Sequence, residues 1–131
     1  GESTAFSDQA HDGRGGWNEL MAADPAGALD FYSSQFGWSV TGEMDMGEMG
    51  HYHFIAHDGV TMGAVFGLMP DMPQSAWAHY FWVPEIGAAK TEIEAQGGQV
   101  VNGPMEVPGP LWIVQGVDPQ GAFFSLVSPN Q

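Results

Sequence analysis

The chain contains no cysteine, and its only basic side chains apart from histidine are Arg14 and Lys90. The first absence removes disulfides, thiolate nucleophiles and Cys-ligated zinc in one step. The second leaves 16 acids almost unopposed, for a formal charge of −14. Such a surface repels phosphate backbones and anionic lipid, so neither nucleic acid nor membrane is an expected partner. A cationic or neutral small molecule is favoured over an anion. No apolar run approaches the roughly 20 residues that span a bilayer. Residues 1–15, GESTAFSDQAHDGRG, lack the basic-then-apolar order of a secretory signal. Their Gly, Ser, Asp and Gln content predicts a flexible leader or linker, and the cytoplasm is the expected compartment.

What is present suffices for one domain core, because 44% of the 131 residues are hydrophobic. That domain is taken as residues 16–131, and it repeats internally. Moved by 61 positions, Leu20 falls on Phe81, Ala22 on Val83, Asp24 on Glu85, Ala28 on Ala89 and Tyr32 on Ile93. Gly37 then falls on Gly98 and Val40 on Val101. Near the end of each half, GVTMGAV from Gly59 matches GAFFSLV from Gly121 at a shift of 62.

Each half opens with a strand of alternating character, Trp17 to Ala22 and Trp77 to Val83. An acid and a proline follow, Asp24-Pro25 and Pro84-Glu85, with Asp24 suited to cap a helix and Pro25 to its first turn. The first helix is expected to bury Ala28, Phe31, Tyr32 and Phe36 and to stop at Gly37. The second is expected to bury Ile86, Ala89 and Ile93 and to stop at Gly97-Gly98. Short strands follow, punctuated by Gly47, Asp58-Gly59, Gly103-Pro104, Pro108-Gly109-Pro110 and Asp118-Pro119. The expected class is α+β: two βαβββ modules, about 16–69 and 75–129, joined by MPDMPQS.

The segments WNELMAADP, FYSSQFGW, YFWVPEI, GGQVVNGP and DPQGAFFSL together resemble the vicinal oxygen chelate superfamily. That superfamily holds glyoxalase I, bleomycin-resistance proteins and extradiol dioxygenases, and the likeness is nearest to its tandem glyoxalase-like members. The resemblance implies curved, cup-shaped mixed sheets with the helices on their outer face. In the family's metalloenzymes His, Gln or Glu on the first and fourth strands of each module hold a divalent metal. Those positions fall here at Trp17, Gly63, Ala78 and Ser125, where indole, hydrogen, methyl and hydroxyl make no ordinary ligand set. No metal or other cofactor is therefore expected. Metal-free members that resemble bleomycin-resistance proteins bind flat or cationic molecules by stacking.

Strand alternation places Trp17, Glu19 and Met21 on the cup face and Asn18, Leu20 and Ala22 toward the helix. On the fifth strand Ala78, Tyr80 and Trp82 share the cup face, whereas His79 reads as a hydrogen-bonded core histidine. The expected ligand-binding residues are Trp17, Glu19, Met21, His53, Met62, Tyr80, Trp82 and Ser125. Trp17 reads equally well as a plug of the core, and Glu19 as a partner for a backbone N–H or Tyr80. His51 and His53 stand two apart, which reads mainly as a polar strand face at the rim. A substitute metal site from His51, His53 and Glu19 is the alternative.

The expected function is a metal-free small-molecule binder that holds a small aromatic or cationic ligand in an aromatic cup with one carboxylate. Three alternatives stand beside it. One is a metal-dependent lyase, isomerase or dioxygenase with relocated ligands; another is a metal-free enzyme with Glu19 as general base. The third is a partner-binding half of a tandem protein. A homodimer is expected, unless the chain is such a half.

Overall fold

A computed structural model describes residues 13–131, which divide into two compact units. One is Trp17–Ala78; the other is His79–Gln131 together with the described residues up to Gly16. Each is a βαβββ module, and the α+β class read from the sequence is the one observed. No helix among the described residues is long and apolar enough to cross a membrane.

In the first unit, β1 (Gly15–Ala22) leads into α1 (Pro25–Phe36), β2 (Ser39–Asp45), β3 (His51–His57) and β4 (Val60–Gly67). The strand order is β2-β3-β4-β1. β1 runs parallel to β4, a pairing that needs a long crossover, and α1 lies within it; the other pairs are antiparallel. The start of α1 is the one read from Asp24-Pro25. Asp24 is extended (φ −132°), its carboxylate accepts the Gly27 N–H at 3.1 Å, and Pro25 occupies the first turn. Gly37 ends the helix at φ 69°, a conformation glycine reaches without penalty.

Ala28, Leu29 and Tyr32 of α1 pack on a core of Leu20, Ala22, Ile55 and Val65. Phe31 and Phe36, expected inside, are 56% and 53% exposed. The helical period explains this. With Ala28 and Tyr32 facing the sheet, Phe31 is rotated off that face by about 100°. Phe36, at the helix end, stacks on Tyr32 and tilts against Trp38 instead of reaching the sheet. The β3–β4 hairpin turns at Asp58-Gly59, both with positive φ (48° and 81°), as an Asp-Gly pair favours.

The second unit contains β5 (Ala76–Trp82, from His79 on), α2 (Ile86–Ala95), β6 (Gln99–Val107), β7 (Leu111–Val117) and β8 (Phe123–Ser128). The order is β5-β8-β7-β6, again with one parallel pair, β5 with β8. Ile86 is fully buried, as expected, whereas Ala89 and Ile93, also expected inside, are only half-buried. Residues 13–15 were expected in the flexible leader. Instead Gly15 opens β1, the Gly13 N–H donates to the Trp82 carbonyl at 2.7 Å, and the Trp82 N–H donates to the Arg14 carbonyl at 2.9 Å. The rest of that leader lies outside the described residues.

The repeat is visible in strand register. Glu19 pairs with Ala64 in one unit and Tyr80 with Ser125 in the other, a shift of 61 on both strands. The shift of 62 suggested by Gly59 and Gly121 belongs to the turns. The Asp118 carboxylate accepts the N–H groups of Gln120 and Ala122, building a longer loop ahead of β8 than the Asp58-Gly59 turn ahead of β4. The counterpart of Ser125 is therefore Ala64, and not Gly63. Gly63 matters for a different reason. A Cβ there would collide with the Asn18 backbone, so glycine permits the close approach of β1 and β4.

Candidate functional site

The face of the first unit turned away from α1 is built from alternate residues of its strands. β1 contributes Trp17 and Met21, β3 contributes Tyr52 and Phe54, and β4 contributes Ala64 and Phe66, with Met44 and Met46 packed alongside. Tyr52 meets Phe54 edge-on at 5.3 Å and Phe66 at 5.2 Å between ring centroids, and Trp17 meets Phe54 edge-on at 6.2 Å. Edge-on and tilted contacts of this kind suit the ring quadrupoles.

One carboxylate stands among these rings. The Trp17 indole N–H donates to Tyr52 Oη at 2.7 Å, and the Tyr52 hydroxyl donates to Glu19 Oε1 at 2.8 Å. The donation runs from indole to phenol and from phenol to carboxylate. Tyr52 is only 8% exposed, so this relay sits where water competes poorly. The arrangement places a carboxyl group beside aromatic rings.

The sequence reading placed Trp17, Glu19 and Met21 on the face opposite Leu20 and Ala22, and the packing has that alternation. It missed Tyr52. The signal was parity: Tyr52 shares a face with Phe54, between two histidines that alternation turns the other way. A register irregularity between Ile55 and Ala56 also buries two consecutive residues and blurs the alternation.

Of the other candidates in the first unit, neither His53 nor Met62 joins Glu19. His53 leaves β3 on the face opposite Tyr52, so His51, His53 and Glu19 do not converge; the alternation that gives Tyr52 to Glu19 turns both imidazoles away. Met62 packs against the helix-side cluster of Leu20 and Val65 rather than with Glu19. His79 is exposed rather than a core histidine. Tyr80, Trp82 and Ser125 belong to the second unit. There Gln115 donates through Nε2 to Tyr80 Oη at 2.7 Å, and Asn102 donates through Nδ2 to Gln115 Oε1 at 3.0 Å. Tyr80 and Ser125 are buried, and Trp82 lies so close over Gly16 that a Cβ there would strike its indole. Gln115 and Asn102 were not singled out by sequence, because neither carries charge or aromaticity.

The positions that the resemblance gives to the family's metal ligands, with Ala64 in place of Gly63, are Trp17, Ala64, Ala78 and Ser125. The Trp17 N–H is a donor already committed to Tyr52, alanine offers no lone pair, and a lone serine hydroxyl is a poor ligand. These residues do not fit the family's metal. Among the described residues, no group of three or more His, Asp or Glu side chains could hold a metal ion.

The family model described as the Glyoxalase/Bleomycin resistance protein/Dioxygenase superfamily matches residues 16–125, and the chain belongs to that superfamily. Among curated relatives, the anthracycline biosynthesis protein DnrV of Streptomyces peucetius is 31% identical, the match covering 84% of this chain and 45% of the relative. The putative glyoxylase CFP32 of Mycobacterium tuberculosis is 33% identical, over 86% of this chain and 43% of the relative. The chain thus spans less than half the length of these relatives. Among solved structures, methylmalonyl-CoA epimerase from Mycobacterium tuberculosis superposes with a TM-score of 0.70 at 15% identity, covering 96% of this chain and 94% of that one. That likeness shows the fold.

Proposed function

We propose that the chain binds a flat or cationic small molecule without a metal, using the face that carries Trp17, Glu19 and Tyr52. The observation that supports this most is the carboxylate of Glu19, held by the Tyr52 hydroxyl beside aromatic rings. Aromatic faces attract cations, and a fixed anion beside them adds to that attraction. A second support is the net charge of −14, which favours cations throughout the approach. A third is the relative named for anthracycline biosynthesis, since an anthracycline is a fused-ring, planar molecule.

The test uses N-methylquinolinium and its uncharged isostere 1-methylnaphthalene, followed by quenching of tryptophan fluorescence. Both should bind, the cation more tightly. Glu19→Gln should weaken the cation by about 1–3 kcal/mol, the worth of a hydrogen-bonded charge interaction, and leave the neutral compound nearly unchanged. Equal loss for both compounds would remove the carboxylate from the site. Binding should be the same before and after chelator treatment, and a chelator-sensitive affinity would refute the metal-free reading.

A further inference from the structure

The second unit carries a different chemistry on the corresponding strands. Tyr80 pairs with Ser125, Ser125 with Gln115, and Gln115 with Asn102, so one row crosses β5, β8, β7 and β6 with all four side chains on the same face. The matching row of the first unit is Glu19, Ala64, Phe54 and Gly42. Amides and hydroxyls thus stand where the first unit has a carboxylate and a ring. Asn102 donates to Gln115 at 3.0 Å and Gln115 to Tyr80 at 2.7 Å. Ser125, a small residue between them, lets the Gln115 and Tyr80 side chains meet across β8, and neither bond uses its hydroxyl. The row is graded in depth: Tyr80 and Ser125 are buried, Gln115 is half-buried and Asn102 is exposed. Two apolar side chains border it on the same face. Ile113 stands two residues from Gln115 on β7, and Phe123, 81% exposed, two residues from Ser125 on β8.

We propose that this row is a second binding site, for an uncharged planar lactam or carboxamide whose C=O and N–H stand side by side. Gln115 and Asn102 each offer N–H groups and a carbonyl, the complement of such a ligand. The bonds within the row use one of the two N–H groups on each amide and leave the Asn102 Oδ1 out. The ligand carbonyl accepts from the second Gln115 N–H, its N–H donates to Asn102 Oδ1, and its ring lies against Ile113 and Phe123. Tyr80 is a positioning residue: its bond holds the Gln115 amide in place before a ligand arrives, which lowers the ordering cost of binding. The preference for a neutral ligand follows from residue type. Amides and hydroxyls give an ion no countercharge, and the net charge of −14 repels anions. The site lies within the second unit and does not rest on the reading of Glu19.

The probes are isoquinolin-1(2H)-one, a flat bicyclic lactam, and its N-methyl derivative, titrated into the full chain and followed by 1H–15N NMR. The lactam should bind saturably and shift the side-chain NH2 signals of Gln115 and Asn102. N-methylation of the probe, Gln115→Met and Asn102→Ala should each weaken binding about fivefold to tenfold, the order of one hydrogen bond. Glu19→Gln should leave the lactam affinity unchanged. Circular dichroism checks the fold of each variant, and Asn102→Ala, at an exposed position, carries the test if Gln115→Met does not fold. Absence of saturable binding overturns the proposal, as does equal affinity for the two probes or an affinity that Asn102→Ala leaves unchanged. A loss on Glu19→Gln overturns it too, because that result places the lactam on the first unit.

Discussion

The Tyr52 hydroxyl accepts from one neighbour and donates to another, so removing it takes one hydrogen bond from each. Tyr52→Phe keeps the ring in its aromatic setting while the Trp17 N–H loses this acceptor and Glu19 this donor. The expected cost is about 1–3 kcal/mol in urea unfolding, toward the upper end because one partner is a carboxylate. Tyr32→Phe is the natural comparison. It removes a single bond from the Trp77 indole N–H, 3.1 Å long and more accessible, and should cost less. A Tyr52→Phe variant as stable as wild type would show that the relay is unimportant. Gly16 gives a second test at this scale. With the Trp82 indole packed on its backbone, Gly16→Ala must displace that ring, at about 1–3 kcal/mol for overpacking, seen as a lower thermal midpoint. The sequence made Glu19 legible, because an acid between Trp17 and Met21 on an alternating strand is conspicuous. Gly16 was not legible, since only packing reveals which glycine lies under a ring.

At the scale of elements, the caps were the most readable features. Asp24 before Pro25 and Gly37 after Phe36 carry local chemistry that needs no tertiary context, and α1 starts and stops where they say. Asp24→Ala should therefore lower stability by about 1 kcal/mol, with Asp24→Asn losing much less, as measured by denaturant midpoint. The buried face of the same helix was harder to read. Phe31 and Phe36 are as apolar as Tyr32, but only the docking of Ala28 and Leu29 on Leu20 and Val65 decides which stripe faces the sheet. β4 shows the same limit. Matching glycines suggested one offset, whereas ladder pairing with β1 imposes another, because loop length and strand register are set by different forces. The consequence falls on Ala64, which stands at a position the sequence assigned to Gly63.

Across the whole molecule, the charge of −14 acts before any contact forms. A cationic probe should associate faster at low salt, and the rate should fall as ionic strength rises. Between 0.01 M and 0.15 M the screening length shrinks from about 30 Å to about 8 Å. Stopped-flow fluorescence reads this directly, and a salt-independent rate would confine the attraction to Glu19 alone. A homodimer is also expected. β2 and β6 each end the strand order of their own unit, and a strand paired on one side only invites another. Light scattering at micromolar concentration decides it, a monomer being the contrary result.

The unit that contains α2 is not one continuous piece of chain. Trp82 receives both ends of its backbone pairing from Gly13 and Arg14, which precede it by an entire module. A recombinant fragment beginning at His79 would consequently lack a few residues that no linker-based cut could keep. It should refold poorly on its own. A synthetic peptide spanning residues 13–16 is too short to bind firmly, so grafting that segment onto the fragment through a designed turn is the rational repair.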